Sequence, residues 1–214
     1  FLSLAGQRYG YDNGKWSFLL NNRIKDDAPH LDPLEHQFRT LRLAGIKAAD
    51  KKLELWPSVY DDTQAGKFLA DNWVKPSQAL VGINVRASSR WLSKNWPPGH
   101  IVELCDRLAK DHNIRVVLTG SPEDAPYAEG IARAARSKPL VAAGKTSVME
   151  LAALMRCFRA YVTPDSAPMH IAAAVGTPFV ALFGPTAPER HVAPAGERAI
   201  LSRAAEFRCS PCYN

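Results

Sequence analysis

From residue 79 onward the sequence alternates short apolar runs with segments of helical length, and this alternation leaves few possible folds. The apolar runs cover residues 79–85, 115–120, 140–144, 160–165 and 179–184. The segments of helical length lie near residues 98–112, 124–137, 147–157 and 167–175. Several of the runs are apolar nearly throughout, as expected for strands buried on both faces. The pattern therefore predicts an α/β fold: a doubly wound parallel sheet with helices on both faces.

Local signals support the predicted helices. Ser147 and Glu150 form a capping-box pattern in front of the apolar run "LAALM". Pro98 is placed where a helix tolerates proline, in its first turn. Gly176 follows "IAAAV", where a left-handed C-terminal cap is expected.

Residues 1–75 show a different pattern, with few candidate strands. "WSFLLNNRI" predicts one strand, "HQFRTLRLAGI" predicts a helix that ends at Gly45, and "DDTQAGKFLADNWV" predicts a helix that ends before Pro76. So few strands cannot form a sheet domain of their own. We expect residues 1–75 to be the tail of a preceding domain with a linker, and residues 76–214 to form the sheet domain.

The composition is that of an ordinary globular protein, with 46% hydrophobic and 22% charged residues. No apolar run is long enough for a membrane-spanning helix, and the first residues do not resemble a signal peptide. The formal net charge of +6 suits an anionic partner. Because the basic residues are spread along the chain, the charge does not favour nucleic acid as that partner.

The spacing of the four cysteines does not indicate a metal site. Cys105 and Cys157 lie in predicted helices and are expected to be small core residues. Cys209 and Cys212 form a CxxC motif, but a structural zinc site needs a second pair, which the sequence lacks. A reducing cytoplasm therefore fits better than a disulfide-stapled fold.

Polar residues follow the end of each predicted strand. After the first four strands these residues are Ser88, Ser89, Arg90, Lys94, Ser121, Glu123, Asp124, Thr146, Ser147, Asp165, Ser166 and His170, and "GPT" follows the fifth strand. Parallel strands present their carboxyl ends at one edge of the sheet, which is where open α/β sheets bind ligands. The sequence therefore predicts one binding site at this edge.

The stretch from Asp165 to His170 is the strongest candidate for an anion site. A helix is expected to begin after Ser166, and its first N–H groups and its dipole favour an anion. The alternative is that Asp165 or Ser166 only caps the helix and that His170 packs against a neighbour.

Lys94 and Glu123 are further candidates. Lys94 would bind a diphosphate, or would be an ordinary surface lysine. Glu123 would accept from ribose hydroxyls, or would be a first-turn helix carboxylate.

Three nucleotide-binding patterns are absent. "AGKTS" resembles the end of a P-loop, but Pro139 stands where the first glycine is required. Neither a GxGxxG nor a DxD motif occurs, so neither a nicotinamide cofactor nor metal chelation of a diphosphate is indicated. We expect no cofactor and no metal.

Together these motifs resemble glycosyltransferase family 9, the lipopolysaccharide heptosyltransferases. The strongest match is "TPDSAPMHIAAAVGTPFVALFGPT" over residues 163–186, and "SKNWPPGHIVELCDRL", "VVLTGSPED" and "AGKTSVMELAAL" occur in the family's order. The resemblance implies a GT-B fold with two Rossmann-like lobes. Residues 76–214 would be the donor-binding lobe, truncated at its C-terminus, and residues 1–75 the tail of the acceptor lobe.

The resemblance also implies roles for individual residues. Ser88 and Ser89 would lie near the donor phosphates, Lys94 would stabilise the diphosphate, and Glu123 or Asp124 would hold the ribose. Thr146 would lie where the backbone contacts adenine. Asp165, Ser166, Ala167 and His170 would grip phosphates and sugar, and Ala167 replaces the family's usual glycine.

The implied activity is inverting, metal-independent transfer of heptose from ADP-heptose to the lipid A–core acceptor. The general base is expected in an N-terminal segment outside this sequence, so the chain alone would bind donor without turnover. The alternatives are a sugar-nucleotide-binding module without catalysis and a GT-B-like UDP-sugar epimerase. The expected location is the cytoplasm, and the basic charge is compatible with peripheral contact with the inner membrane.

Overall fold

The computed structural model describes residues 5–25, 27, 33–48, 50, 52–88, 91–192 and 196–202. The chain divides into two compact units, residues 1–51 with 189–191 and residues 52–188 with 192–214. The second unit includes a helix over Val59–Asp71, which lies in the segment that the sequence assigns to the tail and linker.

Among its described residues up to position 50, the first unit contains two parallel strands and a helix. They are β1 (Tyr9–Asp12), β2 (Asn22–Lys25) and α1 (Pro33–Leu43). The prediction of one strand over "WSFLLNNRI" is wrong, because Ser17–Leu19 form a 3₁₀ turn and only its last residues enter β2. Two parallel strands need a connection that carries the chain back, so the residues between them cannot continue as strand.

The second unit contains a parallel sheet of six strands in the order β5-β4-β3-β6-β7-β8. The strands are β3 (Leu80–Asn84), β4 (Arg115–Thr119), β5 (Leu140–Val141), β6 (Ala160–Pro164), β7 (Phe179–Phe183) and β8 (Arg198–Ser202). Its described helices are α2 (Val59–Asp71), α3 (Pro98–His112), α4 (Ala125–Ala134), α5 (Val148–Met155) and α6 (Ala167–Ala174). The short α7 (Pro188–His191) begins in this unit, and its residues 189–191 are assigned to the first unit. Five strands agree with the sequence prediction, which missed β8 because all five of its residues are exposed.

The sheet carries a hydrophobic core on each face. One core packs α2, α5 and α6 against the sheet through residues such as Ala65, Leu154 and Ala172. The other packs α3 and α4 through residues such as Ile101 and Ile131. Successive residues of β3 contribute to opposite cores, as its apolar sequence requires. The predicted α/β sheet with helices on both faces is confirmed.

The cap signals also occur where the sequence places them. Ser147 and Glu150 form a reciprocal capping box at the start of α5. Pro98 is the first residue of α3, and Gly176 adopts a φ of +75° after α6.

A glycine in β3 allows a side chain of β6 to contact a side chain of β4, although β3 lies between these two strands. The Tyr161 hydroxyl on β6 lies 2.6 Å from Thr119 Oγ1 on β4, and both side chains are fully enclosed. A Cβ on Gly82 of β3 would lie 2.4 Å from the Phe158 ring and 2.5 Å from the Tyr161 ring. Gly82 therefore leaves the space through which the tyrosine reaches across β3.

Candidate functional site

The strand order places a crevice between β3 and β6. The chain winds outward from β3 towards β5 on one side and from β6 towards β8 on the other. The loops that leave the carboxyl ends of β3 and β6 therefore diverge. Such a switch point is where open α/β sheets bind their ligands.

A cavity of about 490 Å³ opens at this edge of the second unit. It is bounded by the loops after β3, β4 and β5 and by the first turns of α5 and α6. Its size lies within the range usual for small-molecule sites. The polar residues of its wall, which we call the cavity wall, are Asn84, Arg86, Ser88, Ser121, Glu123, Asp124, Thr146 and Ser147. Apolar side chains including Pro122, Val148, Leu151 and Ile171 complete the lining.

The two adjacent acids of the cavity wall have different surroundings. Asp124 Oδ2 accepts hydrogen bonds from the Ser121 amide at 3.0 Å and the Ser121 hydroxyl at 2.7 Å. Its other oxygen lies 3.6 Å from the guanidinium of Arg86. Glu123 makes no side-chain hydrogen bond or ion pair with any residue that the structure describes. The sequence left the ribose-binding acid open between these two, and of the two only Asp124 is engaged by described residues.

Arg86 is a cation of the cavity wall that the sequence did not single out. Its guanidinium lies 5.2 Å from the ring centroid of Tyr127, in addition to its contact with Asp124. Stacking and pairing together hold the guanidinium in one place. A positive charge therefore stands beside the carboxylate of Asp124 at the cavity wall.

A second group of polar side chains lies at the same sheet edge and is bonded internally. We call it the edge network, and it consists of two bonded sets: Lys94, Asp165 and Thr186, and Asn84, Ser166 and Thr163. Its charged centre is Asp165, which is 7% exposed. Lys94 Nζ donates to Asp165 Oδ2 at 2.6 Å, and Thr186 Oγ1 donates to the same oxygen at 2.7 Å. A buried carboxylate needs such partners, because an uncompensated charge would be strongly destabilising.

Asn84 connects the loops on either side of the switch point. Its side-chain amide donates to the Arg86 carbonyl at 2.8 Å and to Ser166 Oγ at 3.0 Å. The Ser166 hydroxyl also lies 3.1 Å from Thr163 Oγ1 and 3.1 Å from the Pro164 carbonyl. The Ser166 hydroxyl therefore uses its hydrogen within the network.

The amino end of α6 is left without a capping side chain. Ser166 is its N-cap residue, but the hydroxyl makes no capping hydrogen bond. The interpretation of Ser166 as a simple cap is therefore wrong, and the hydroxyl holds the loop instead. The helix start adjoins the cavity through Ala167 and Pro168, and its dipole favours an anion there.

The protein-family comparison matches residues 2–214 to the model described as glycosyltransferase family 9 (heptosyltransferase). The chain belongs to this family. The resemblance found in the sequence motifs is thereby confirmed.

The family 9 chain is similar to curated heptosyltransferases over part of their length. It is 38% identical over 118 residues to lipooligosaccharide heptosyltransferase 2 of Haemophilus influenzae, covering 53% of this chain and 34% of that protein. It is 30% identical over 173 residues to lipopolysaccharide core heptosyltransferase OpsX of the same species, covering 79% and 47%. The chain thus spans less than half the length of these relatives.

A solved structure supports the fold. The E. coli ADP-heptose lipopolysaccharide heptosyltransferase II superimposes with a TM-score of 0.79 at 22% identity, over 98% of this chain and 67% of that one. This similarity confirms the GT-B type fold that the motifs imply.

The residues predicted for the site fall into three groups in the family 9 chain. Ser88, Glu123, Thr146 and Ala167 line the cavity. Lys94, Asp165 and Ser166 belong to the edge network. His170 is half-buried on α6 and is not part of the cavity lining, and Ser89 lies outside the described residues.

The sequence did not single out Asn84 or Arg86, and it named Thr186 only as part of the "GPT" that follows the fifth strand. Asn84 had a recognisable signal, since it is a polar residue at the end of an otherwise apolar strand, and it is only 4% exposed. Thr186 closes the stretch "FGPT", but its contact with Asp165 joins residues 21 positions apart. Local patterns do not show such a contact.

The cysteine predictions have different outcomes. Cys105 is fully buried, and burial raises the pKa of its thiol to about 12. The prediction that Cys157 is a core residue is wrong, because it is exposed at the turn that follows α5. Cys209 and Cys212 lie outside the described residues.

Among the residues that the structure describes, no helix is both long enough and apolar enough to cross a bilayer.

Proposed function

We propose that this protein transfers a heptose from ADP-heptose to the inner core of lipopolysaccharide, with inversion at the anomeric carbon. The observation that carries the proposal is the cavity at the switch point in a chain that belongs to family 9. The names of the similar proteins support the sugar and the acceptor, because they are lipopolysaccharide and lipooligosaccharide heptosyltransferases.

In this proposal the residues of the second unit bind the donor. Glu123 accepts hydrogen bonds from the ribose, and the apolar lining around Val148 and Leu151 contacts the adenine beside Thr146. The diphosphate lies towards the amino end of α6, near Lys94 and Ser88. Residues 76–214 would thus act as the donor-binding lobe, with α2 packed on it, and residues 1–75 would belong to the acceptor lobe.

The transfer step that we propose breaks the bond between the heptose anomeric carbon and a β-phosphate oxygen. The acceptor hydroxyl oxygen forms the new bond, and ADP leaves with the electron pair. Charge on the departing ADP increases, so fixed positive groups such as Lys94 and the amino end of α6 would stabilise the transition state.

The acceptor proton needs a general base. Asp124 and Asp165 are both engaged in hydrogen bonds and ion pairs, and Glu123 is assigned to the ribose. We therefore place the base outside residues 76–214, as the sequence resemblance implies.

The acceptor carries lipid A, so we further propose that the enzyme works at the cytoplasmic face of the inner membrane. The net charge of +6 supports attraction to anionic lipid. Cosedimentation with phosphatidylglycerol vesicles, compared with phosphatidylcholine vesicles, tests this part by itself.

Titration calorimetry of the chain with ADP-heptose, ADP and UDP tests the donor assignment. We expect binding of both adenine compounds and at least tenfold weaker binding of UDP. Lys94→Ala and His170→Ala should both weaken the binding of ADP. Lys94 supplies positive charge to the diphosphate, and His170 lies one turn into α6. A folded chain that prefers UDP, or that binds no nucleotide, would contradict the proposal.

A further inference from the structure

Two donors share one oxygen of Asp165, and one of them has no role in the proposal above. Lys94 Nζ and Thr186 Oγ1 approach Asp165 Oδ2 to 2.6 and 2.7 Å. Thr186 is 3% exposed, and the Lys94 side chain is 16% exposed. The threonine hydroxyl therefore fixes the position of the carboxylate oxygen to which Lys94 is paired.

The turn that carries Thr186 supports Lys94 from a second side. A Cβ built on Gly184 would lie 3.0 Å from the carbonyl oxygen of Ser93. Ser93 belongs to the 3₁₀ turn Leu92–Lys94, so the backbone after β7 packs directly against the backbone that carries the lysine. The Phe183–Thr186 turn thus constrains both the main chain and the ammonium group of Lys94.

We propose that Thr186 is a positioning residue for donor binding, which acts by holding Lys94 through Asp165 at the place where the diphosphate binds. This inference rests on the proposed function. A lysine side chain has many rotamers, and a ligand that must immobilise it loses affinity. Prior fixation by Asp165 and Thr186 removes that cost, while an ammonium with three donors keeps capacity for the phosphate oxygens.

A merely structural role for Thr186 would give a different result. If the hydroxyl only satisfied a buried acceptor, its loss would reduce stability and would affect every ligand of the cavity alike. Positioning through Lys94 affects only ligands that carry phosphate. Adenosine and ADP therefore form the discriminating pair of probes.

The experiment is calorimetric titration of the full chain with ADP and with adenosine. The variants are Thr186→Val, Thr186→Ser, Lys94→Met and the Thr186→Val/Lys94→Met double variant, each checked for folding by circular dichroism. We expect Thr186→Val to lower the affinity for ADP by about fivefold to tenfold and the affinity for adenosine by less than about twofold. Thr186→Ser keeps the hydroxyl and should retain ADP affinity. In a chain that already carries Lys94→Met, adding Thr186→Val should not weaken ADP binding further.

The inference would be overturned if Thr186→Val weakened the binding of ADP and of adenosine equally. It would also be overturned if Thr186→Val weakened ADP binding as much in the Lys94→Met variant as in the wild type. If Thr186→Val does not fold, Thr186→Ala replaces it, because it also removes the hydroxyl. Gly184→Ala tests the backbone contact separately, since it displaces the Leu92–Lys94 turn and should weaken ADP binding selectively. A folded wild-type chain that binds neither probe would overturn the proposed function and this inference with it. Wild-type binding of ADP that the Thr186 and Gly184 variants leave unchanged would overturn this inference alone.

Discussion

The cavity wall and the edge network occupy the same sheet edge but differ in what their side chains contact. The edge network joins residues that are far apart in sequence, such as Lys94 and Asp165 and, across 82 positions, Asn84 and Ser166. On the cavity wall Glu123 makes no hydrogen bond or ion pair with the described part of the chain, and it lines the open space.

This difference separates two kinds of functional residue. A residue whose polar atoms are bonded within the fold contributes to stability and fixes geometry, because removing one partner leaves the other unsatisfied. A residue whose polar atoms face a cavity contributes to affinity. Changes to side chains that are bonded within the fold should therefore alter unfolding, and within the edge network only the set of Lys94, Asp165 and Thr186 should also alter ADP binding, through the diphosphate. A change to Glu123, which makes no such bond with the described residues, should alter binding alone.

The largest effect is expected for Asp165→Asn, which removes the charge opposite Lys94. Leaving a partner of a buried ion pair uncompensated should lower the unfolding free energy by about 3 kcal/mol. Glu123→Gln is the matched change at the cavity wall and should alter stability by less than about 0.5 kcal/mol. Urea unfolding of both variants measures the difference. Similar losses of unfolding free energy for Asp165→Asn and Glu123→Gln would contradict the distinction between internally bonded side chains and side chains that face the cavity.

Asn84→Ala should have the next largest effect. It removes two donated hydrogen bonds and leaves the Arg86 carbonyl and Ser166 Oγ with one partner fewer, at a cost of about 2 kcal/mol. Thr146→Ala, at the cavity wall after β5, is the control and should unfold like the wild type. A neutral Asn84→Ala would show that water replaces the amide without cost, and the edge network would then not hold the two loops.

Glu123→Gln should weaken ADP binding about tenfold, which corresponds to about 1.4 kcal/mol, because a charged acceptor of ribose hydroxyls becomes neutral. Asp124→Asn, one residue away, should change ADP affinity little and should instead lower stability by about 1 kcal/mol, because the contacts with Ser121 and Arg86 lose their charged acceptor. Calorimetric titration and urea unfolding of both variants test the assignment. A stronger affinity loss for Asp124→Asn would exchange the roles of the two acids.

The smallest effect is expected at Ser147, which borders the cavity but whose hydroxyl caps α5. Its Oγ accepts from the Glu150 amide at 3.2 Å, so Ser147→Ala should cost about 1 kcal/mol of stability with unchanged ADP affinity. Thr146→Ala is the neighbouring control, and thermal unfolding compares the two. A loss of ADP affinity for Ser147→Ala would place its hydroxyl in the donor site rather than in the helix cap.

The sequence predicted most of the sheet because its strands are buried on both faces and therefore apolar. It missed β8, whose residues are exposed, and it extended β2 across residues that form a 3₁₀ turn. Burial produces the pattern that sequence analysis detects. An exposed edge strand and a short crossover lack that pattern.

For the site, the sequence identified residues but not their partners. Lys94, Asp165 and Ser166 were all candidates, because polar residues after parallel strands collect at one edge. Their assignment to an internal network follows from contacts with Thr186 and Asn84, which depend on how β3, β6 and β7 are ordered in the sheet. That order is a tertiary property.

The most direct test is a crystal structure of the chain with ADP. We predict that ADP occupies the cavity of the second unit, with its ribose hydroxyls within hydrogen-bond distance of Glu123 and its diphosphate beside Lys94 and the amino end of α6. The Thr186–Asp165–Lys94 contacts should persist in the complex. ADP bound elsewhere, or bound here with its ribose against Asp124 and its phosphates remote from Lys94, would contradict the donor site that we propose for the second unit.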